Sequence, residues 1–190
     1  LVSQRAVSNA FPIVYVNQVG GQDELVFDGG SFAVNADGKL AAVAPEFEDG
    51  AWWLDIDTSA GVVITDGPHS EPLDELAAIW EALVVGVRDY VNKNGFPGVV
   101  LGLSGGIDSA VTVAIAVDAL GAERVHAVMM PFRYTASMSI EDAEEEARAL
   151  NIAYRSISIE PLYEGFMASL ADEFAGLPAN ITEENLQARC

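Results

Sequence analysis

The chain has 190 residues, of which 51% are hydrophobic, and its formal net charge is −20, from 9 lysines and arginines against 29 aspartates and glutamates. This length and apolar content suffice to bury a core in one or two domains. The charge excludes nucleic acid and anionic membranes as expected partners, because such a surface repels both, and no apolar run approaches the roughly 20 residues of a membrane helix.

The single cysteine and the two chain ends set the context. Cys190, the last residue, has no partner for a disulfide within the chain, which fits a reducing, cytoplasmic location. The chain begins with Leu1 instead of a methionine and ends inside a helical pattern. We therefore expect a fragment of a longer protein.

The chain up to about residue 66 predicts mostly β-structure. Apolar and β-branched runs predict strands at 11–16, 24–27, 31–34, 39–43 and 52–57. Residues 62–64 form either one more strand or part of the connection. Gly20-Gly21-Gln22-Asp23 predicts a turn, and Asn35-Ala36-Asp37-Gly38 between two apolar runs predicts a hairpin. Of Trp52 and Trp53, we expect one in the core and one on the surface.

The pattern changes after residue 66. The polar segment 67–72, which contains Gly and Pro, is predicted to link a domain at 1–66 to a second domain at 73–190. Helices are expected at 73–92, 108–120, 141–150, 162–174 and 182–190, and strands at 96–103, 125–130 and 152–159. This alternation predicts an α/β fold with a doubly wound parallel sheet covered on both faces, whose ligands bind at the carboxyl ends of the strands.

A turn rich in glycine and serine joins the first of these strands to its helix, with the sequence Gly102-Leu103-Ser104-Gly105-Gly106-Ile107-Asp108-Ser109. Glycines let the backbone approach a ligand, and the first N–H groups of a helix bind phosphate. The turn lacks the lysine of a Walker A loop and the spacing of a dinucleotide fingerprint.

In place of a lysine, the turn offers the hydroxyls of Ser104 and Ser109 and the carboxylate of Asp108. A carboxylate beside a phosphate requires a cation between them, which implies Mg²⁺. From the residues alone, an ordinary glycine-rich turn with Asp108 as a first-turn acid stays an alternative.

Four stretches resemble known families. Residues 104–109 resemble the pyrophosphate loop of ATP pyrophosphatases, which split ATP into AMP and pyrophosphate. Residues 128–134 with Ser139 and Asp142-Ala143 resemble the adenine-side segment of NAD synthetases, and 184–189 resemble their Glu-Asn-x-Gln-Ala-Arg motif. Residues 14–29 resemble the late part of the nitrilase-like glutaminase domain in glutamine-dependent NAD synthetases.

The resemblance implies a fold and an activity. The fold would be the β-rich tail of a nitrilase-like αββα domain, followed by the first part of a doubly wound ATP-pyrophosphatase domain. The activity would be ATP-dependent amidation of deamido-NAD to NAD through an adenylated intermediate, with ammonia from glutamine. ATP and Mg²⁺ are the implied cofactors, and the family's large assemblies imply a homo-oligomer.

The resemblance also assigns roles to residues. It implies ATP binding by Gly102, Leu103, Ser104, Gly105, Gly106, Ile107, Asp108, Ser109, Met130 and Arg133. Asp108 is also the implied Mg²⁺ ligand, and Asn185 and Arg189 the implied contacts to deamido-NAD. Simpler interpretations stay open: Met129 and Met130 as strand core, Arg133 as a surface cation, and Asn185 as a helix-start residue.

The glutaminase chemistry is where the sequence departs from the family. That chemistry needs a Glu, a Lys and a nucleophilic Cys, and no cysteine precedes Cys190. We therefore assign no catalytic residue. The resemblance also implies that the second Mg²⁺ ligand and the remaining deamido-NAD contacts lie beyond residue 190, so we expect the chain alone to be inactive or nearly so. His69 and His126 have no nearby Cys or His at metal-ligand spacing, and we interpret both as structural. The alternatives are another ATP pyrophosphatase, such as a GMP synthetase, and a nucleotide-binding module without catalysis.

Overall fold

The computed structural model describes residues 1–176, 181–187 and 189–190. The chain divides into two compact units, Leu1–Phe96 and Pro97–Cys190. Within the described part, no helix combines the length and the apolar character needed to cross a membrane.

The first unit begins with helix α1 (Val2–Asn9) and continues mainly as antiparallel β-structure. Its three-stranded sheet has the order β1-β4-β5, and two hairpins add the pairs β2-β3 and β6-β7. The strands are β1 Ile13–Tyr15, β2 Val19–Gln22, β3 Leu25–Asp28, β4 Phe32–Val34, β5 Leu40–Val43, β6 Asp55–Asp57 and β7 Val63–Asp66. The predicted hairpin at Asp37-Gly38 is confirmed: it joins β4 to β5, and Gly38 takes a φ of +82° that favours glycine.

Two local predictions in this unit are wrong. Gly20, Gly21 and Gln22 lie in strand β2, and the turn follows at Asp23, which has a φ of +52°. Trp52 and Trp53 precede β6 and are both exposed, at 42% and 85%. Two neighbouring residues point to opposite faces, one of them toward the core, only when they lie in a strand of a sheet. Trp52 and Trp53 lie outside the strands, so the alternation does not apply to them.

Helix α2 (Glu75–Lys93) completes the first unit. The side chain of Asp74 caps it by accepting hydrogen bonds from the N–H groups of Leu76 and Ala77, each at 3.0 Å. The helix buries Val84, Val85 and Val91 and packs against strands β2 and β3. Its apolar face therefore completes the core beside that hairpin.

The segment predicted as a linker, 67–72, is anchored to the first unit. The N–H of Val43 donates to the carbonyl of Pro68 at 2.7 Å, and Ser70 donates back to Val43 at 3.0 Å. The compact units divide after Phe96. The domain boundary at 67–72 stays a prediction.

The second unit contains the parallel sheet that the sequence predicts, in the strand order β8-β9-β10. Its strands are β8 Val99–Gly102, β9 Val125–Met129 and β10 Ala153–Ser156. Its helices are α3 Ile107–Leu120, α4 Ser137–Ala149, α5 Glu160–Ser169 and α6 Ile181–Gln187, with a 3-10 turn at Ala122–Arg124.

One face of this sheet is covered. Helices α3 and α4 connect strands that lie in chain order, and right-handed crossovers place both helices on the same face. Val113, Val125, Ala127 and Ala143 are each at most 1% exposed in the resulting core. Among the described residues, Val100 on the opposite face is 71% exposed.

Candidate functional site

The candidate site is the loop at 102–109, which joins the carboxyl end of β8 to α3. Leu103 continues the sheet ladder, since its N–H donates to the carbonyl of Val128 at 3.0 Å and its side chain is only 1% exposed. From Ser104 onward the backbone leaves the sheet and is largely exposed. Leu103 therefore anchors the loop, whereas Gly102 before it and Ser104 after it are exposed. ATP binding by Gly102 and Leu103 stays a prediction.

The amino terminus of α3 suits an anion. The helix begins after Gly106, whose backbone is extended (φ −98°, ψ 151°). Because Gly106 has no side chain, it cannot cap the helix with one. The first N–H groups of a helix have no partner within it, and the helix dipole favours negative charge there. A phosphate group placed at this end would accept from those N–H groups.

The two loop serines hold the backbone in shape. The hydroxyl of Ser109 donates to the carbonyl of Gly106 at 2.8 Å and accepts from the N–H of Ser104 at 3.2 Å. Its one hydrogen is thus used, so the 3.0 Å contact between the two hydroxyls has Ser104 as donor. Ser104 Oγ also accepts from the N–H of Gly106 at 3.3 Å. Both hydroxyls therefore order the loop, and this role was not among those predicted for them.

Gly105 meets the first turn of α4 at close range. Its φ is +76°, and a Cβ at this position would lie 2.1 Å from the carbonyl oxygen of Ser139. No side chain fits there, so a glycine is required for two independent reasons. The sequence predicts that the glycines let the backbone approach a ligand, but it does not reveal this contact. Its one signal is Ser139 itself, which belongs to the second resemblance.

Asp108 lies in the first turn of α3 and is exposed. Its backbone carbonyl oxygen accepts from the Thr112 hydroxyl at 2.7 Å. Within the described ranges, no group of three or more His, Cys, Asp or Glu side chains could hold a metal ion. Asp108 is thus the one carboxylate within the loop at 102–109 that could bind a cation.

Met129, the last residue of β9, and Met130, which follows it, differ in exposure. Met129 is 3% exposed and belongs to the core, whereas Met130 is 51% exposed. The Cε atom of Met130 lies 3.4 Å from the place where a Cβ on Gly102 would be. Met130 is thus the apolar group beside the loop, in a position to contact a ligand.

Arg133 is committed to helix α5. Its guanidinium forms an ion pair with Glu160, lies 3.4 Å from a carboxylate oxygen of Glu164, and stacks over the Phe132 ring at 5.2 Å. The hydrogen bond to Glu160 is the main cause of a raised pKa for Arg133. Its predicted role in ATP binding stays a prediction and requires these carboxylates to be exchanged for phosphate.

Asn185 and Arg189 lie together at the last helix. Asn185 is exposed on α6, and Arg189 Nη1 donates to its backbone carbonyl at 3.0 Å. Ala188 of the same motif lies outside the described residues. In the part of the chain that is described, no hydrogen bond or ion pair joins these two residues to the loop at 102–109. Their contact with a substrate stays a prediction.

Comparison with family models divides the chain in two. A model of NAD synthase matches residues 79–190, and a model of carbon-nitrogen hydrolase matches residues 1–65. The order of the matches, hydrolase first and synthase second, agrees with the order of the resemblances in the sequence.

Comparison with individual proteins gives relatives of much greater length. The chain is 50% identical over 179 residues to the glutamine-dependent NAD(+) synthetase of Acinetobacter baylyi, a match that covers 93% of this chain and 32% of the relative. It is 48% identical to the synthetase of the same name from Xanthomonas campestris, covering 100% of this chain and 34% of the relative. The chain thus spans about a third of the length of the curated relatives it matches.

A solved structure agrees with both of these comparisons. The glutamine-dependent NAD+ synthetase of Acinetobacter baumannii, in complex with adenosine diphosphate, superposes with a TM-score of 0.91 at 49% sequence identity. The match covers 98% of this chain and 35% of the other.

Proposed function

The chain belongs to the NAD synthase family, and from this premise we propose that it supplies the ATP-binding part of an enzyme that converts deamido-NAD to NAD. Ammonia released from glutamine provides the nitrogen, and AMP and pyrophosphate are the other products. The observation that carries the proposal is the loop at 102–109, an uncapped helix terminus with a carboxylate and no lysine.

The proposed reaction has two steps. A carboxylate oxygen of the deamido-NAD pyridine ring attacks the α-phosphorus of ATP, and the bond from that phosphorus to pyrophosphate breaks. The nitrogen of ammonia then attacks the acyl carbon, the bond from that carbon to the AMP oxygen breaks, and a proton is released. Neither step needs a covalent intermediate with the protein. The protein must align the carboxylate and neutralise charge on the leaving pyrophosphate.

The loop residues suit the second task. The N–H groups at the start of α3 would donate to phosphate oxygens, while Ser104 and Ser109 keep the loop in the required shape. Met130 would cover the adenine, because it is the exposed apolar side chain beside Gly102. We propose that Arg133 contacts a phosphate after exchanging its carboxylate partners.

The residues present fit Mg²⁺ as the cation. Mg²⁺ commonly binds one or two protein carboxylates and completes its shell with phosphate oxygens and water. Asp108 offers one exposed carboxylate at the end of the loop. When bound there, Mg²⁺ would neutralise the charge on the departing pyrophosphate. The chain has a net charge of −20, and its few lysines and arginines cannot supply this neutralisation alone.

The relatives support the nucleotide assignment. The structure from A. baumannii is of a complex with adenosine diphosphate, so a protein 49% identical to this chain binds an adenine nucleotide. We further propose that Asn185 and Arg189 contact deamido-NAD and that the protein works as a homo-oligomer in the cytoplasm.

The glutamine-hydrolysing step must use residues outside this chain. The predicted nitrilase-like chemistry needs a cysteine, and Cys190 is the only cysteine among the 190 residues. We therefore propose that residues 1–190 alone produce no NAD from glutamine. Because the chain spans about a third of the length of its relatives, we propose that it produces none from ammonia either. A measurable rate of NAD formation by this chain would contradict that statement.

A product assay tests the proposed function. The full-length protein is supplied with ATP, Mg²⁺ and ammonium, and with either deamido-NAD or xanthosine monophosphate as acceptor. We expect NAD and AMP in equal amounts from deamido-NAD, and no AMP from xanthosine monophosphate. GMP formation would replace the proposal with a GMP synthetase, and ATP binding without AMP formation from either acceptor would leave a nucleotide-binding module.

A further inference from the structure

A polar clamp holds the β2–β3 hairpin to helix α2, and both backbone groups of Gly21 take part. The N–H of Gly21 donates to Asp89 Oδ2 at 2.9 Å, and the carbonyl of Gly21 accepts from Lys93 Nζ at 2.6 Å. Lys93 Nζ also lies 3.1 Å from Asp89 Oδ2. We call these three residues the Gly21 clamp. Asp89 is largely shielded, with 20% of its side chain exposed.

Glycines allow the helix and the hairpin to approach closely enough for this clamp. A Cβ on Gly21 would lie 3.2 Å from the Cα of Gly86 and 3.3 Å from the Cβ of Asp89. A Cβ on Gly20 would lie 2.8 Å from Asp89 Oδ2. A glycine within a strand commonly marks such a close approach of another backbone. The sequence is thus adapted on both elements to this one contact.

The clamp joins segments that match two different families. The hairpin lies within residues 1–65, matched by carbon-nitrogen hydrolase, and Asp89 and Lys93 lie within residues 79–190, matched by NAD synthase. Helix α2 ends at Lys93, and β8, which leads into the loop at 102–109, begins at Val99. The helix that precedes the proposed ATP loop is therefore bonded to the backbone of a hydrolase-type hairpin.

We propose that Asp89 and Lys93 are positioning residues that couple glutamine use to NAD synthesis, an inference that rests on the proposed function. They act by fixing α2 to the hairpin, so that a shift of either element is transmitted to the other. Hydrogen bonds to a backbone are sensitive to displacement, because they weaken steeply once the angle at the hydrogen falls below about 120°. Bonds to a charged group are also stronger than neutral ones, which suits them to this task.

The charge state of Asp89 agrees with this role. Burial acts to raise the pKa of Asp89, but the bonds from Gly21 and Lys93 outweigh it, and the net shift is downward. The carboxylate is therefore ionised near neutral pH and able to hold both partners.

The test compares two nitrogen sources in the full-length protein. The rate of NAD formation is measured with glutamine and with ammonium. The glutamine-supported rate divided by the ammonium-supported rate is the ratio that is compared in D89A, K93A and G21A. We expect the ratio to fall about tenfold in D89A, while the ammonium-supported rate changes less than twofold. D89N keeps an acceptor for the Gly21 N–H and should recover part of the ratio.

Matched controls and a second readout make the test specific. Glu145 is an exposed carboxylate on α4, and Gly165 has no atom within 4 Å of a built Cβ, so E145A and G165A should leave the ratio unchanged. Hydrogen exchange at the amide of residue 21 reports on the clamp without any activity, and it should quicken in D89A and G21A.

Two results would overturn the proposal. One is an unchanged ratio in variants whose amide at residue 21 exchanges faster, which would make the clamp purely structural. The other is an equal loss of both rates in all three variants. The proposed function fails separately, if the wild-type protein makes no NAD from ammonium. Should D89A fold poorly, K93A and D89N carry the test.

Discussion

Replacing Gly105 by alanine introduces one methyl group where the loop has no space for it. The new Cβ would lie 2.1 Å from the carbonyl oxygen of Ser139 and 2.7 Å from its carbonyl carbon. Overpacking of this kind costs about 1–3 kcal/mol, and a non-glycine residue at a φ of +76° adds roughly 1–2 kcal/mol. The loop or helix α4 must move, at a total cost of about 2–5 kcal/mol.

Calorimetric titration of the full-length protein with ATP and Mg²⁺ measures the consequence for the site. A loop displaced at even the low end of this range should bind ATP about 30-fold more weakly, because each 1.4 kcal/mol is a factor of ten. Thermal unfolding, measured in parallel, shows whether part of the cost falls on stability. G165A is the matched control, since its methyl group meets nothing within 4 Å. If G105A retained both the wild-type affinity and the wild-type Tm, the contact between Gly105 and Ser139 would be refuted.

Three further predictions concern acidic residues. D108N keeps the size of the side chain and removes its charge, so we expect the ammonium-supported rate at saturating ATP to fall by about 100-fold or more with no change in Tm; a wild-type rate would exclude Asp108 as the cation ligand. D74A removes the cap that accepts from two N–H groups of α2 and should lower the free energy of unfolding by about 1 kcal/mol, as urea unfolding would show; an unchanged value would rule the cap unimportant. The pKa of Asp89 is lowered in the folded protein, so its contribution to stability is complete above the unfolded-state pKa of about 3.9 and is lost as the pH falls through the lower folded-state value. The stability difference between wild type and D89A should therefore shrink as urea unfolding is repeated at progressively lower pH, and a difference independent of pH would contradict the clamp.

The loop was predictable because its signals are local. A strand, a glycine-rich turn and a helix follow one another without interruption, and the absent lysine already separates the turn from a Walker A loop. The hairpin at Asp37-Gly38 was predictable for the same reason. In both places the residues that determine the backbone lie within the segment itself.

The contacts that the sequence does not reveal join residues far apart in the chain. Arg133 is bonded to Glu160 and Glu164, 27 and 31 residues later, and Gly21 is bonded to Asp89, 68 residues later. The Gly-Gly pair at 20–21 is typical of a turn by composition, and only the approach of α2 explains it as strand. Met129 and Met130 show a related limit. Alternation predicts that they lie on opposite sides of the sheet, but it does not predict which of the two is buried.

Isotope transfer tests the central claim, that a carboxylate attacks the α-phosphorus of ATP bound at the loop at 102–109. The full-length protein is given ATP, Mg²⁺, ammonium and deamido-NAD labelled with ¹⁸O in its pyridine carboxylate, and the phosphorus-containing products are examined by mass spectrometry. One ¹⁸O atom per turnover is expected in AMP, and none in pyrophosphate. Release of ADP with ¹⁸O in inorganic phosphate would contradict the account, because the attack would then occur at the γ-phosphorus.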